Sequence, residues 1–237
     1  MTTSSARAGI RPTPEETVRR LVEAATRLLA AEGPSAIKAR SVADAAQVST
    51  AAVYYHLGGL PELLQAVIDQ AFRDLDEDFG TVAAVGDPVA ELFTMALAAH
   101  RLAQGNPHLY DLMFGLSTRG SYRPPKSRSA GLGVGSEAFR DAYAHLVQAC
   151  VRLLDSERVR AGAEPEIIAS QLWSCVHGFI TLDLGGQFSQ FEDPVRQVLG
   201  PVTTSVLIAL GADPEQVAES YAVALAAYER KHPDIGA

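Results

Sequence analysis

The sequence predicts an all-α protein. Apolar residues recur at three- and four-residue intervals along nearly the whole chain, the period of a helix that buries one face. No stretch alternates apolar and polar residues as a half-buried strand does. Proline and glycine mark many edges of the periodic segments, as in "EGPSA", "GDPV" and "GNPH".

The first helix starts where Thr13 can cap it, with Pro14 at its first position and Glu16 three residues beyond the cap. Its apolar stripe is Val18, Leu21, Val22, Ala25, Leu28 and Leu29, and Gly33-Pro34 end it. A second, short helix is expected from Ser41, with Asp44 closing a capping box, to Ala46. Ser49 or Thr50 caps a third helix that reaches Leu57 and breaks at Gly58-Gly59. A fourth, "PELLQAVIDQAFRDLDEDF", buries Leu63, Leu64, Val67, Ile68, Ala71, Phe72 and Leu75. Further helices are expected near 88–104, 107–117, 136–161, 165–185, 193–210 and 214–230. The Gly-, Pro- and Ser-rich segment 118–135 reads as a disordered loop, and residues 1–12 as a disordered tail.

Two short helices joined at "AQVS" fit a helix-turn-helix, in which the second helix enters the DNA major groove and its first residues meet base edges. "STAA" (Ser49–Ala52) is small-sided, which allows close approach. Val42, Ala45, Ala46, Val48 and Val53 are the expected core of the motif. Successive helical residues point about 100° apart. On that basis Tyr55 is expected to pack inward, and Tyr54 and His56 to offer polar ends to phosphates.

Composition agrees with a small DNA-facing module on an acidic body. The 237 residues carry a net charge of −8 with 47% hydrophobic residues. Within 1–60, seven basic residues face five acidic ones; the remainder is strongly acidic. The organisation expected is therefore a helix-turn-helix domain over 13–60 and a larger helical domain over 61–237.

The two cysteines, Cys150 and Cys175, make neither a disulfide framework nor a metal motif, which suits a reducing cytoplasm. His100, His108, His145 and His177 are too scattered for a metal site, so no metal or cofactor is expected. The N-terminus lacks the apolar core of a signal peptide, and the longest apolar run, "IIASQLWSCVHGFITLDLGG", carries Gln171, His177 and Asp183. That reads as a core helix, with no membrane partner. No nucleophile–base pair, paired acids or phosphate loop stands out, so enzymatic activity is not expected.

Residues 14–72 resemble the DNA-binding domain of the TetR family of transcriptional regulators. The resemblance lies in "AAEGPSAIKARSVADAAQVSTAAVYYHLGGLPELL": the glycine after the first helix, the "VADAAQVS" turn, "VYYHL" and the "ELL" of the fourth helix. Five positions depart. Gln47 stands where the family usually has a glycine of positive φ, Leu57 replaces a frequent phenylalanine, and Gly58-Gly59-Leu60 replace a polar stretch that often ends in lysine. The resemblance implies DNA contacts from Lys38, Arg40, Ser41, Ser49, Thr50, Ala51, Tyr54 and His56. "LWSCVHGFITLDLGGQF" and "GNPHLYDLMFG" resemble helices of one C-terminal subclass of the family. They imply a helical ligand-binding and dimerisation domain.

Candidate ligand contacts are Met95, His100, Tyr110, Met113, Phe114, Phe139, Tyr143, Trp173 and His177, residues suited to an adaptable apolar cavity. A homodimer is expected through 165–185 and 193–210, where Val195, Val198, Leu199, Val202, Val206 and Leu210 are interrupted by Gly200, Thr203 and Ser205. The function expected is a repressor released from a palindromic double-stranded DNA operator by a mostly apolar small-molecule inducer. The alternative is a helical ligand- or protein-binding module with weak or no DNA binding, which would lack the steep salt dependence of duplex association.

Overall fold

A computed structural model describes residues 12–82, 86–114, 135–160, 162 and 164–231. Among them are ten α-helices and no strand: α1 (Pro14–Glu32), α2 (Ala39–Ala45), α3 (Thr50–Leu57), α4 (Leu60–Val82), α5 (Pro88–Gly105), α6 (Pro107–Phe114), α7 (Glu137–Asp155), α8 (Pro165–Leu184), α9 (Gly200–Ala209) and α10 (Pro214–Lys231). The all-α expectation holds. The segment 118–134 and the tail 1–11 lie outside the described residues. The chain forms two compact units, Met1–Val67 and Ile68–Ala237. The boundary between these units falls inside α4.

In the smaller unit α1 begins as its sequence dictates. Thr13 Oγ1 accepts the Glu16 N–H at 3.2 Å, and Pro14 occupies the first turn. Leu21, Val22, Ala25 and Leu29 are buried, and α1 packs on both α2 and α3. α2 starts at Ala39, with Lys38 as its N-cap, so Ser41 lies inside the helix and the Ser41–Asp44 capping box does not form. The earlier start sets a different face. Val42, Ala43 and Ala46 are buried, whereas Ala45, expected in the core, is exposed.

The turn between α2 and α3 closes through Gln47 at φ 58°. The Val48 N–H reaches Ala43 O at 3.0 Å and the Gln47 N–H reaches Asp44 O at 3.1 Å, the paired bonds of a Schellman ending. This is the left-handed position anticipated from the family's glycine. A side chain there costs about 1 kcal/mol or more.

In the larger unit α5 is the central helix and packs on α6, α7, α8 and α10. Its N-cap does more than cap. Asp87 Oδ1 accepts the Val89 N–H at 2.9 Å, and the carboxylate also takes Arg158 at 2.6 Å and the Ser220 hydroxyl at 2.7 Å. One side chain thus ties α5 to the end of α7 and to α10. Glu91, fully buried one turn on, is held by Arg152 of α7 at 2.5 Å.

Two segments depart from the expected helices. α7 stops at Asp155 instead of running to 161, because Glu157 at φ 56° turns the chain out. The segment 193–210 is not one helix. Val195–Leu199 forms a π-type turn, with the Gly200 N–H bonded to Val195 O, and α9 follows. Pro201 accounts for this: it lacks an N–H, and in an unbroken α-helix its ring would meet the carbonyl of Gln197. Gly200 is required here too, since a Cβ would lie 2.6 Å from the Tyr221 ring. Gly200 and Thr203 are buried within their own unit, so these small residues do not form the outer face expected of them.

Replacing Gln47 with glycine relieves the left-handed strain at the α2–α3 turn. Gln47→Gly is expected to stabilise the protein by roughly 0.5–1 kcal/mol in thermal denaturation. A destabilised variant would mean that the Gln47 side chain contributes more than its backbone costs.

Candidate nucleic-acid interface and ligand cavity

α3 is anchored by one fully buried side chain, Val53. The geometry of the helix then decides the rest. Tyr55 lies two residues, about 200°, from Val53 and is 84% exposed. The inward packing expected of Tyr55 is therefore wrong. Tyr54 is 59% exposed, and His56, which rotates back toward Val53, is half-buried with its ring edge-on to Tyr55 at 4.9 Å.

At the other end of α3, Ser49 is the N-cap, yet its hydroxyl makes no capping bond. Ser49, Thr50 and Ala51 are exposed. Lys38 and Arg40 are exposed on α2; Arg40 meets Asp44 only at 3.9 Å, and Ser41 is half-buried. The eight predicted DNA-contact residues thus all lie on α2, α3 and their caps, with unspent donors at Ser49 and Thr50. Tyr55 joins them as a residue that the sequence reading placed elsewhere.

Among the described residues of the larger unit, two neighbouring apolar cavities share Phe79, Ala99, Trp173 and His177 in their walls. They leave about 40 Å³ and 20 Å³ for the centres of water-sized molecules. Met95 lines the larger; Tyr110, Phe114, Phe139 and Tyr143 line the smaller; Trp173 and His177 line both. Seven of the nine predicted contacts are therefore cavity walls.

His100 and Met113 line neither cavity. His100 is engaged by Asp183 at 2.8 Å, which also accepts from Gln104 at 2.6 Å, and Met113 is fully buried core. Aliphatic walls were missed: Leu92, Leu146, Leu172 and Val176, with Phe72, Leu75 and Phe79 from α4. Thr203 was missed as well. Nothing in a leucine's periodicity separates a cavity wall from filled core.

Aromatic packing builds the shared wall. Trp173 and His177, one turn apart on α8, sit 3.9 Å centroid to centroid, and Phe114 packs against both rings. The Tyr110 hydroxyl meets His177 Nδ1 at 2.5 Å. Burial pushes the Tyr110 phenol up and lowers the His177 imidazole to about 4. The pair is thus neutral at ordinary pH. Burial likewise raises Cys150 to about 12, and both cysteines are free. By length and composition alone α8 would cross a membrane. It nevertheless carries Asp183 and His177, each hydrogen-bonded within the unit.

Residues 21–67 match the family model described as bacterial regulatory proteins, tetR family, and residues 92–204 match the tetracyclin repressor-like C-terminal domain. The HTH-type transcriptional regulator Rv1816 of Mycobacterium tuberculosis is 27% identical over 226 residues, covering 84% of this chain and 94% of that protein. A protein of unknown function from Rhodococcus sp. RHA1 shares the fold with TM-score 0.69 at 22% identity, over 86% of this chain and 99% of its own. RolR in complex with the ligand resorcinol aligns with TM-score 0.60 at 16% identity, over 89% of this chain and 94% of its own.

The buried imidazole makes stability depend on pH. Below the ordinary histidine value of 6.5 the unfolded chain takes up a proton that folded His177 refuses until about pH 4. The unfolded state binds more protons in that window, so stability falls as pH falls through it, by up to roughly 3 kcal/mol. Urea midpoints measured from neutral pH down to about pH 5 should decline less steeply in His177→Gln than in the parent. Parallel declines would refute the assignment.

Proposed function

The chain belongs to the TetR family of transcriptional regulators, and on that premise we propose that it is a dimeric repressor released from a palindromic operator by a small molecule. The observation that carries this reading is the pairing of an exposed, small-sided α3 start with an aromatic-walled cavity in the other unit. In this reading Ser49, Thr50 and Ala51 meet base edges and sugar–phosphate. Lys38, Arg40, Ser41, Tyr54, Tyr55 and His56 hold the helix in register through phosphates. Without a lysine at the start of α4, the backbone N–H groups of its first turn are left to meet the phosphate.

α4 links the two functions. Its first two turns belong to the smaller unit, while Phe72, Leu75 and Phe79 line the cavities. A ligand that parts these side chains from Trp173 favours a different α4 position, and affinity for the operator falls by the difference in its binding energy between the two states. RolR, which binds resorcinol, has the same fold. A compact, mostly apolar inducer suits the small cavities here.

Dimerisation uses α8 and α9. Ile167 and Leu182 on α8, and Val202 and Ile208 on α9, are large apolar side chains exposed on the single chain. A second copy related by a two-fold axis covers them and matches operator symmetry.

Three measurements test the reading. Genomic footprinting supplies the operator. In fluorescence anisotropy Thr50→Ala should then change which sequences bind, while Tyr54→Phe should weaken specific and random duplexes alike, by about 0.5–1.5 kcal/mol. Equal effects of both variants on both duplexes would refute this division of roles. Leu182→Asp and Val202→Asp should each yield monomers in sedimentation, since burying an unpaired charge costs several kcal/mol. Two intact dimers would put the interface elsewhere.

A further inference from the structure

Several serines and threonines inside the helices of the larger unit turn their hydroxyls back to the carbonyl four residues earlier. Thr94 reaches Ala90 O at 2.8 Å, Thr181 reaches His177 O at 2.7 Å, and Ser205 reaches Pro201 O at 2.9 Å. Thr203, on α9, does not. It is 2% exposed, and its Oγ1 has no hydrogen-bond partner among the described residues. Two other buried side-chain oxygens share that condition, on Glu91 and Tyr221, but only Thr203 lines the larger cavity. A hydroxyl that forgoes the nearby carbonyl and stays buried without a partner opposes folding. It becomes favourable once a ligand supplies the missing bond.

We propose that Thr203 is the polar anchor of the cavity and that, together with His177, it selects a neutral, mostly apolar ligand bearing one hydroxyl or carbonyl oxygen. The inference rests on the cavity being the ligand site. The other walls of the larger cavity are Phe79, Met95, Trp173 and aliphatic side chains, with no Asp, Glu, Lys or Arg among the described residues that line either cavity. A charged ligand would be buried without a counter-ion. His177 does not supply one, because burial keeps its ring neutral at ordinary pH. With the Tyr110 hydroxyl assigned as donor to Nδ1, the imidazole proton stays on Nε2 as a donor. Thr203 can donate or accept. One oxygen on the ligand answers both groups, and a hydrocarbon answers neither.

The test uses the full chain and three matched probes: para-ethylphenol, ethylbenzene and para-ethylbenzoate. Binding is followed by calorimetry and by the indole N–H resonance of Trp173, the only tryptophan. The parent protein should bind the phenol about tenfold tighter than the hydrocarbon and should not bind the benzoate. Thr203→Val should cut that preference severalfold, leaving only the share that His177 supplies, while binding ethylbenzene at least as well. Thr203→Ser should keep the preference. The ligand-free Thr203→Val protein should also melt a few degrees higher, since its orphaned hydroxyl is gone. An unchanged preference in Thr203→Val, or a benzoate bound as tightly as the phenol, overturns the role of Thr203 and leaves the cavity intact as a site. If none of the probes moves the Trp173 resonance, the cavity reading itself falls and the anchor falls with it.

Discussion

The hydrogen bond between Tyr110 and His177 is the constraint around which the larger unit is arranged. It joins α6 to α8 at a place where neither partner can reach water easily, and burial keeps both groups uncharged. A buried polar pair of this kind must be satisfied or it unfolds its surroundings. Satisfying it fixes the turn of α8, and with that turn Trp173 lies tilted against the imidazole and Phe114 packs against both. The cavities exist because these rings, once fixed, do not fill the space toward Phe79 and Ala99. Leucines in the same places would collapse onto one another. Rigid aromatic plates leave a gap.

The smaller unit follows another logic. Its α2 and α3 are too short to be stable alone, and they persist because α1 packs on both. Val42, Ala43, Ala46 and Val53 are small, so the helices sit close and little side-chain freedom is lost. The opposite face of α3 is then free of structural duty. Tyr55 illustrates this: a large ring held out in water contributes nothing to the fold and is available to whatever approaches.

Much of this was legible in the residues. Helix starts were readable where a side chain announces them: Thr13 and Asp87 each accept the N–H bonds that their positions imply. The positive φ at Gln47 was readable only through the resemblance, because the family's usual glycine marks that position. The start of α2 was not, since Lys38 caps it without any side-chain bond. The end of α7 was not, because a glutamate rather than a glycine takes the positive φ. In the cavity the aromatic walls of α6, α7 and α8 declared themselves by residue type, whereas Phe72 and Phe79 of α4 read as plain core. Thr203 did not declare itself, because its significance lies in a bond it fails to make, and sequence periodicity records only which face a residue occupies. His100 looked like a pocket residue until Asp183, far along the chain, claimed it.

The π-type turn at Val195–Leu199 gives the chain an extra residue in a stretch that otherwise winds as one rod. Removing any one residue from it would force the residues ahead of Pro201 to rewind, because the proline ring excludes a plain α-helical turn there. The segment ahead of it would then swing by about 100° about the axis. Arg196 would leave Glu229, and Asp193 would no longer cap the segment at the same angle. The turn therefore acts as a phase adjuster. It lets the approach from α8 and the buried face of α9 each keep the orientation that its own neighbours demand, and it makes chain length in these five positions far less negotiable than their chemistry.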